Sequence, residues 1–278
     1  MTSLERALDD VRARCDVPAR LAVDPVGVVR RYRDPLDREL VGLVAAGIAF
    51  GNVKTIRSKL EEIFRRVGDP PREKAEDPRA LKRALASFRH RVFVGDDVAR
   101  LMIGARRVQR DRGSLGALFS SALRETGDFR ESLARMCDAI RDAGDLRARD
   151  GRRGPAHLLA DPRAGSSVKR LVLFVKWMAR PDDGIDLGQW DVPTSALVIP
   201  VDVHIHKLAR NLGLTRRKDA SWKTAQEITA ALARFDAADP TKYDFSLCHM
   251  GMLQRCPSRR DPKRCAGCPV KPVCAHWK

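Results

Sequence analysis

The chain has 278 residues, with 53 Lys and Arg against 36 Asp and Glu, a formal net charge of +17 and an isoelectric point near 10.2. That length can bury a substantial core, and a basic excess beyond what solubility needs points to a polyanionic partner. Aromatics are only 5% of residues, which argues against a stacking platform for single strands and for duplex recognition. No apolar run is long enough to span a bilayer and no signal peptide is recognisable, so a cytoplasmic, nucleoid-associated monomer is expected.

Helical period dominates from the start, and no convincing alternating strand is present, so the fold class reads as all-α. Leu4, Ala7, Leu8 and Val11 follow Ser3 as one face of a first helix. Residues 16–33 read as a connection interrupted by Pro18 and Pro25. Asp34-Pro35 then opens an apolar helix through Leu36, Leu40, Val41, Val44 and Ile48, because Asp accepts first-turn amides and Pro suits the first helical position. Asn52 caps a third helix that Gly68 ends, and Asp77-Pro78 repeats the cap-then-Pro signal. Further helices are predicted at 95–110, 114–125 and 128–143.

Residues 144–165, rich in Gly, Pro, Arg and Asp, read as a surface loop or hinge. An apolar helix is predicted over 166–179, and 181–200 is irregular. Trp177, Trp190 and Trp222 are expected in core or seam positions. Next, Asp202 stands at the N-cap of a helix whose inward face is Ile205, Leu208, Ala209 and Leu212, with Gly213 just beyond it. Amides of the first turn would hold its carboxylate ionised and fixed in direction, a structural role compatible with electrostatic catalysis. His204 and His206 flank that helix; at i and i+2 they do not share a face, so DNA contact or surface packing is favoured over a metal. An apolar helix from Tyr243, ending at Gly251, leads to the tail.

The tail carries Cys256, Cys265, Cys268 and Cys274 as C-x8-C-x2-C-x5-C in a segment too short and polar to build a core alone. Four clustered thiols in a cytoplasmic chain point to a metal centre rather than disulfides. Zinc favours two short knuckles, whereas a single C-x2-C flanked by longer spacers suits a [4Fe-4S] cluster; structural zinc is the alternative. Cys15 and Cys137 fall on apolar faces, and Cys248 reads as a buried free thiol on an apolar helix. Basic residues bunch at Arg147–Arg153, at Arg216, Arg217 and Lys218, and at Arg255, Arg259, Arg260, Lys263 and Arg264. Such bunches suit phosphates, although a solvated Arg-rich surface would look the same.

The V-D-x-H-I motif around Asp202, about fifty residues ahead of the cysteine tail, resembles the endonuclease III and MutY branches of the helix-hairpin-helix (HhH-GPD) DNA glycosylase superfamily. More widely, G-S-S-V-K-R-L-V-L-F-V-K-W-M-A-R and V-D-V-H-I-H-K-L-A-R-N-L-G-L look like a bacterial protein family with no assigned function. The superfamily resemblance implies two helical subdomains with a groove between them: 34–165, and 1–33 with 166–278, the latter carrying a cluster loop over 252–278. It implies a base-excision repair enzyme that flips a damaged base from double-stranded DNA and cleaves its N-glycosidic bond, with or without AP-lyase activity. Asp202 takes the family's catalytic position, and the tail cysteines take that of its iron–sulfur loop. Lys169 aligns with the hairpin Lys of bifunctional members, with Gly165, Ser166, Ser167 and Arg170 as hairpin contacts to DNA. Two departures stand out: the hairpin's second Gly is absent, and the Cys256–Cys265 spacer is longer than the family's. They keep two alternatives open, a non-catalytic iron–sulfur DNA-binding protein on the same scaffold and an enzyme acting on RNA.

Overall fold

A computed structural model describes residues 3–147 and 151–277. Its longer helices, in chain order, are α1 (Ser3–Ala13), α2 (Pro35–Gly47), α3 (Val53–Val67), α4 (Pro78–Leu85), α5 (Gly95–Arg112), α6 (Leu115–Thr126), α7 (Phe129–Gly144), α8 (Lys169–Ala179), α9 (Val203–Asn211), α10 (Trp222–Ala233) and α11 (Asp244–Leu253). With 60% helix against 2% strand, the protein is all-α. Its strands are β1 (Arg89–His90) and β2 (Phe93–Val94), a short antiparallel hairpin that the sequence reading lacked.

Local chemistry sets most helix starts. Asp34 accepts from the amides of Leu36 and Asp37, Asn52 from Lys54 and Thr55, and Asp77 from Arg79 and Ala80. Gly68 ends α3 at φ 82°. Short helical turns at Val17–Leu21, Val26–Val29 and Gly154–Leu158 occupy stretches read as connections. Helix α10, absent from the sequence reading, starts where the Ser221 side chain accepts from the Thr224 amide. No helix of the described residues is long and apolar enough to cross a membrane.

The chain falls into two compact units, one of Met1–Arg20, Gly165–Val172 and Pro193–Lys278, the other of Leu21–Ala164 and Leu173–Val192. These boundaries correct the expected ones: residues 21–33 and 173–192 group with the larger unit. Helix α8 is continuous, yet its first turn belongs to one unit and the rest to the other.

In the larger unit α5 packs on α7, and Val98, Leu101, Met102, Leu133, Met136 and Ile140 of the two helices are fully buried. Their backbones touch: a Cβ on Gly104 would lie 2.2 Å from the Ile140 carbonyl oxygen, and one on Gly144 would lie 2.3 Å from that of Arg100. Only glycine fits either place. Glu39 is enclosed in the same unit, its carboxylate accepting from Gln109 Nε2 (2.9 Å), the amides of Leu115 (2.9 Å) and Gly116 (3.0 Å) at the start of α6, and Trp190 Nε1 (2.7 Å). In the same unit, Lys176, Arg180 and Asp186 form a buried ion cluster, with Lys176 Nζ 3.1 Å from Asp186 and Arg180 Nη1 2.9 Å from it. Trp177 and Trp190 are buried in this unit, and Trp222 in the other.

The smaller unit packs α11 against both α1 and α9. Gly251 lies inside α11 rather than at its end, which corrects the expected stop. A Cβ there would meet Leu208 Cδ1 at 3.0 Å and His204 Cβ at 3.2 Å, so the missing side chain permits the close crossing of α9.

Candidate functional site

Asp202 takes the N-cap of α9 in extended conformation (φ −105°, ψ −175°), as its position before an amphipathic run predicts. Its Oδ1 accepts from the amides of His204 (2.9 Å) and Ile205 (2.8 Å), and the side chain is half-buried. Its Oδ2 accepts from the Cys248 thiol of α11 at 3.3 Å. Burial pushes that thiol well above its ordinary range; the Asp202 charge adds to the rise, Lys169 opposes it, and Asp244 contributes in the same sense as Asp202. Lys169 and Asp202 therefore both act on one sulfur atom. Cys248 is the residue that sequence reasoning left outside the site. Its only local signal was a cysteine on an apolar helix, which fits any core thiol.

Lys169 is the first residue of α8, and the segment before it is a tight turn rather than a glycine hairpin. Ser166 pairs with Ser221, the Ser167 amide donates to the Ala220 carbonyl (3.2 Å), and Gly165 O accepts from the Trp222 amide (2.9 Å). Gly165 adopts φ +93°, and Val168 adopts φ +38°, a left-handed conformation rare for a β-branched residue. The Ser166 hydroxyl accepts from the Val168 amide at 3.1 Å and holds this turn. Strand pairing thus occupies the Ser167 amide that a glycine hairpin would turn toward a phosphate. Arg170 is half-buried, and burial lowers its guanidinium from the usual value, so the side chain named as a DNA contact is partly withdrawn into the protein.

His204 packs against α11 beside Gly251, while His206 donates from Nε2 to the Arg217 carbonyl at 3.0 Å. Beyond them, His206, Lys207, Arg210 and Arg216 line an open cleft together with Ser258 and His276. Of the basic bunches named from sequence, Arg152 pairs with the buried Asp97 at 3.1 Å, Arg147 with Asp142 at 2.9 Å, and Arg217 with Glu227 at 2.9 Å. Arg149 lies outside the described residues. In the tail, Arg255, Arg259, Arg260, Lys263 and Arg264 are all exposed.

The tail folds back on α9. Cys256, Cys265, Cys268 and Cys274 line one partly enclosed hollow of about 20 Å³, together with Asn211 and Trp277. Cys265 and Cys274 are buried; burial, followed by neighbouring thiols, raises Cys268, and burial is also the main influence raising Cys256. Asn211 Nδ2 donates to Cys256 Sγ at 3.5 Å, Lys207 Nζ donates to the Cys256 carbonyl at 3.0 Å, and the Ala275 amide donates to the Asn211 carbonyl at 2.7 Å. Trp277 stands between two cations, Arg260 at 4.2 Å and Lys271 at 4.3 Å from its ring. Among the described residues no three His, Cys, Asp or Glu side chains are grouped so as to hold a single metal ion.

These features define an all-helical protein with a helix-capped carboxylate, a lysine and a thiol in one unit and four further thiols around a separate hollow. The chain belongs to the family described as a protein of unknown function (DUF2400), which it matches over residues 24–253. That span includes Lys169, Asp202 and Cys248 and stops short of the four tail cysteines. No curated protein and no solved structure matches the chain.

Proposed function

We propose that this protein is a DNA glycosylase of base-excision repair, with Asp202 as its catalytic carboxylate. The observation that carries the reading is the half-buried Asp202 side chain, held by two backbone amides on Oδ1 and by the Cys248 thiol on Oδ2. A base everted from the duplex would leave with the electron pair of its N-glycosidic bond, so positive charge grows on C1′ and the ring oxygen of the sugar. A carboxylate fixed by a helix N-terminus opposes that charge without reorganising. A water molecule then adds to C1′ and gives up a proton, for which Asp202 is the acceptor. With Lys169 as nucleophile, its neutral amine would add to C1′ as the base leaves; loss of a proton from the nitrogen and opening of the C1′–O4′ bond, with O4′ taking up a proton, would then give the Schiff base. The exposed arginines and lysines of the tail supply phosphate contacts that fix the protein on the duplex without reading its sequence.

Four thiols lining one hollow match in number the ligands of a [4Fe-4S] cluster, which supports that reading of the tail. A tetrahedral zinc ion needs all four sulfurs at about 2.3 Å from one centre, whereas a cubane binds each on a different iron and tolerates a wider set. Such a cluster would shape the basic loop, with Asn211 donating to one of its thiolates. Protein purified without oxygen is expected to be brown, with broad visible absorbance that is lost in Cys268→Ala. A colourless protein containing one equivalent of zinc would replace iron with zinc in this account.

A panel of duplexes, each bearing a single damaged or mismatched base, tests the function. Release of a base from at least one duplex is expected, and borohydride should trap a covalent adduct that Lys169→Ala abolishes if the amine attacks. Duplex binding with no release from any member would favour a non-catalytic DNA-binding protein, which would then hold the duplex through the exposed tail cations and not through the occupied Ser167 amide. Release from structured RNA alone would favour the RNA-directed enzyme.

A further inference from the structure

We infer that Cys248 is a positioning residue for Asp202, its S–H donating to Oδ2 so that the carboxylate is held at this oxygen as well as at the one the helix amides engage. This inference rests on the catalytic reading of Asp202. The two amides engage Oδ1 and the 3.3 Å contact from Cys248 engages Oδ2, so each carboxylate oxygen has its own donor and the group is held at both ends. The residues are 46 positions apart, and the contact exists because α9 and α11 cross closely at Gly251, three residues beyond Cys248 on the same helix.

The donor type suits the task. A thiol is a weak donor, so it orients an anion while withdrawing little of its charge. An ammonium or guanidinium in the same place would make a shorter charge-assisted bond and neutralise the charge that opposes the sugar cation. The groups acting on Cys248 are Asp202, Lys169 and Asp244; burial and the two carboxylates raise the thiol, and Lys169 only partly offsets them. The sulfur therefore keeps its proton at neutral pH, which suits a donor and not a nucleophile or a further metal ligand.

Infrared spectroscopy of the purified full-length protein reads the bond directly, because the S–H stretch lies in a window clear of other protein bands. The difference between wild type and Cys248→Ser isolates the Cys248 band. It is expected at a lower frequency than that of an unbonded thiol, and Asp202→Asn should move it to the unbonded position. A band that Asp202→Asn leaves unmoved, or no band at neutral pH, overturns the inference. On a duplex from which the wild type releases a base, Cys248→Ala should slow single-turnover release about tenfold with unchanged duplex affinity, the loss expected for one hydrogen bond of ordinary net strength. Cys248→Ser, which restores a donor, should stay within about threefold of wild type. A fully active Cys248→Ala beside an inactive Asp202→Asn removes the positioning role and leaves the glycosylase reading intact; a fully active Asp202→Asn removes that reading itself.

Discussion

Asp202→Asn is expected to slow base release by about a thousandfold, measured under single-turnover conditions, with duplex affinity unchanged within about threefold. Asn is as good an N-cap as Asp, so its side-chain oxygen keeps the two amide bonds that start α9. What disappears is the negative charge. Stabilisation that operates only as the sugar becomes cationic contributes to the transition state and not to binding, so the loss falls on the rate. Equal losses in affinity and rate would mean that the substitution disturbs α9 itself, and a wild-type rate would take Asp202 out of the chemistry.

Glu39→Ala should destabilise the protein by about 3–5 kcal/mol in urea unfolding, because it leaves buried donors without an acceptor. Gln109, the Leu115 and Gly116 amides and Trp190 all converge on this carboxylate, which therefore ties α2, α5, the start of α6 and the Trp190 loop together. Burial outweighs these donors and raises the Glu39 carboxyl, so the folded protein holds the proton more tightly than the unfolded chain. Between the ordinary carboxylate range and the raised folded value, stability from this group falls as pH rises. Glu39→Gln should remove that slope while costing less than alanine. A cost below about 1 kcal/mol for Glu39→Ala would show that the surroundings re-pair without it.

Most helix starts with local chemistry were legible in the sequence, the Ser221 cap of α10 being an exception. Asp34, Asn52, Asp77 and Asp202 all cap as expected, since a cap is decided by a side chain and the amides two or three residues on. The hairpin of β1 and β2 was not legible, because two residues per strand leave no alternation to detect. Nor was the assignment of α8 to both units, for periodicity reports that a helix is amphipathic and not which core each turn serves. Gly251 reads in sequence as a stop, yet it serves a helix crossing that only tertiary packing defines. The site divided along the same line. The capped carboxylate was visible in a single turn of sequence, whereas its thiol partner, 46 residues away, had no local signature.

The indole at position 277 borders the thiol-lined hollow and is gripped by Arg260 and Lys271. Its emission, taken as the difference between wild type and Trp277→Phe so that the other indoles cancel, is consequently an optical gauge of that corner of the molecule. A coloured occupant would drain its excited state, and loosening of the loop would free it into water, so dimming and a red shift in its emission report two different events without any added label.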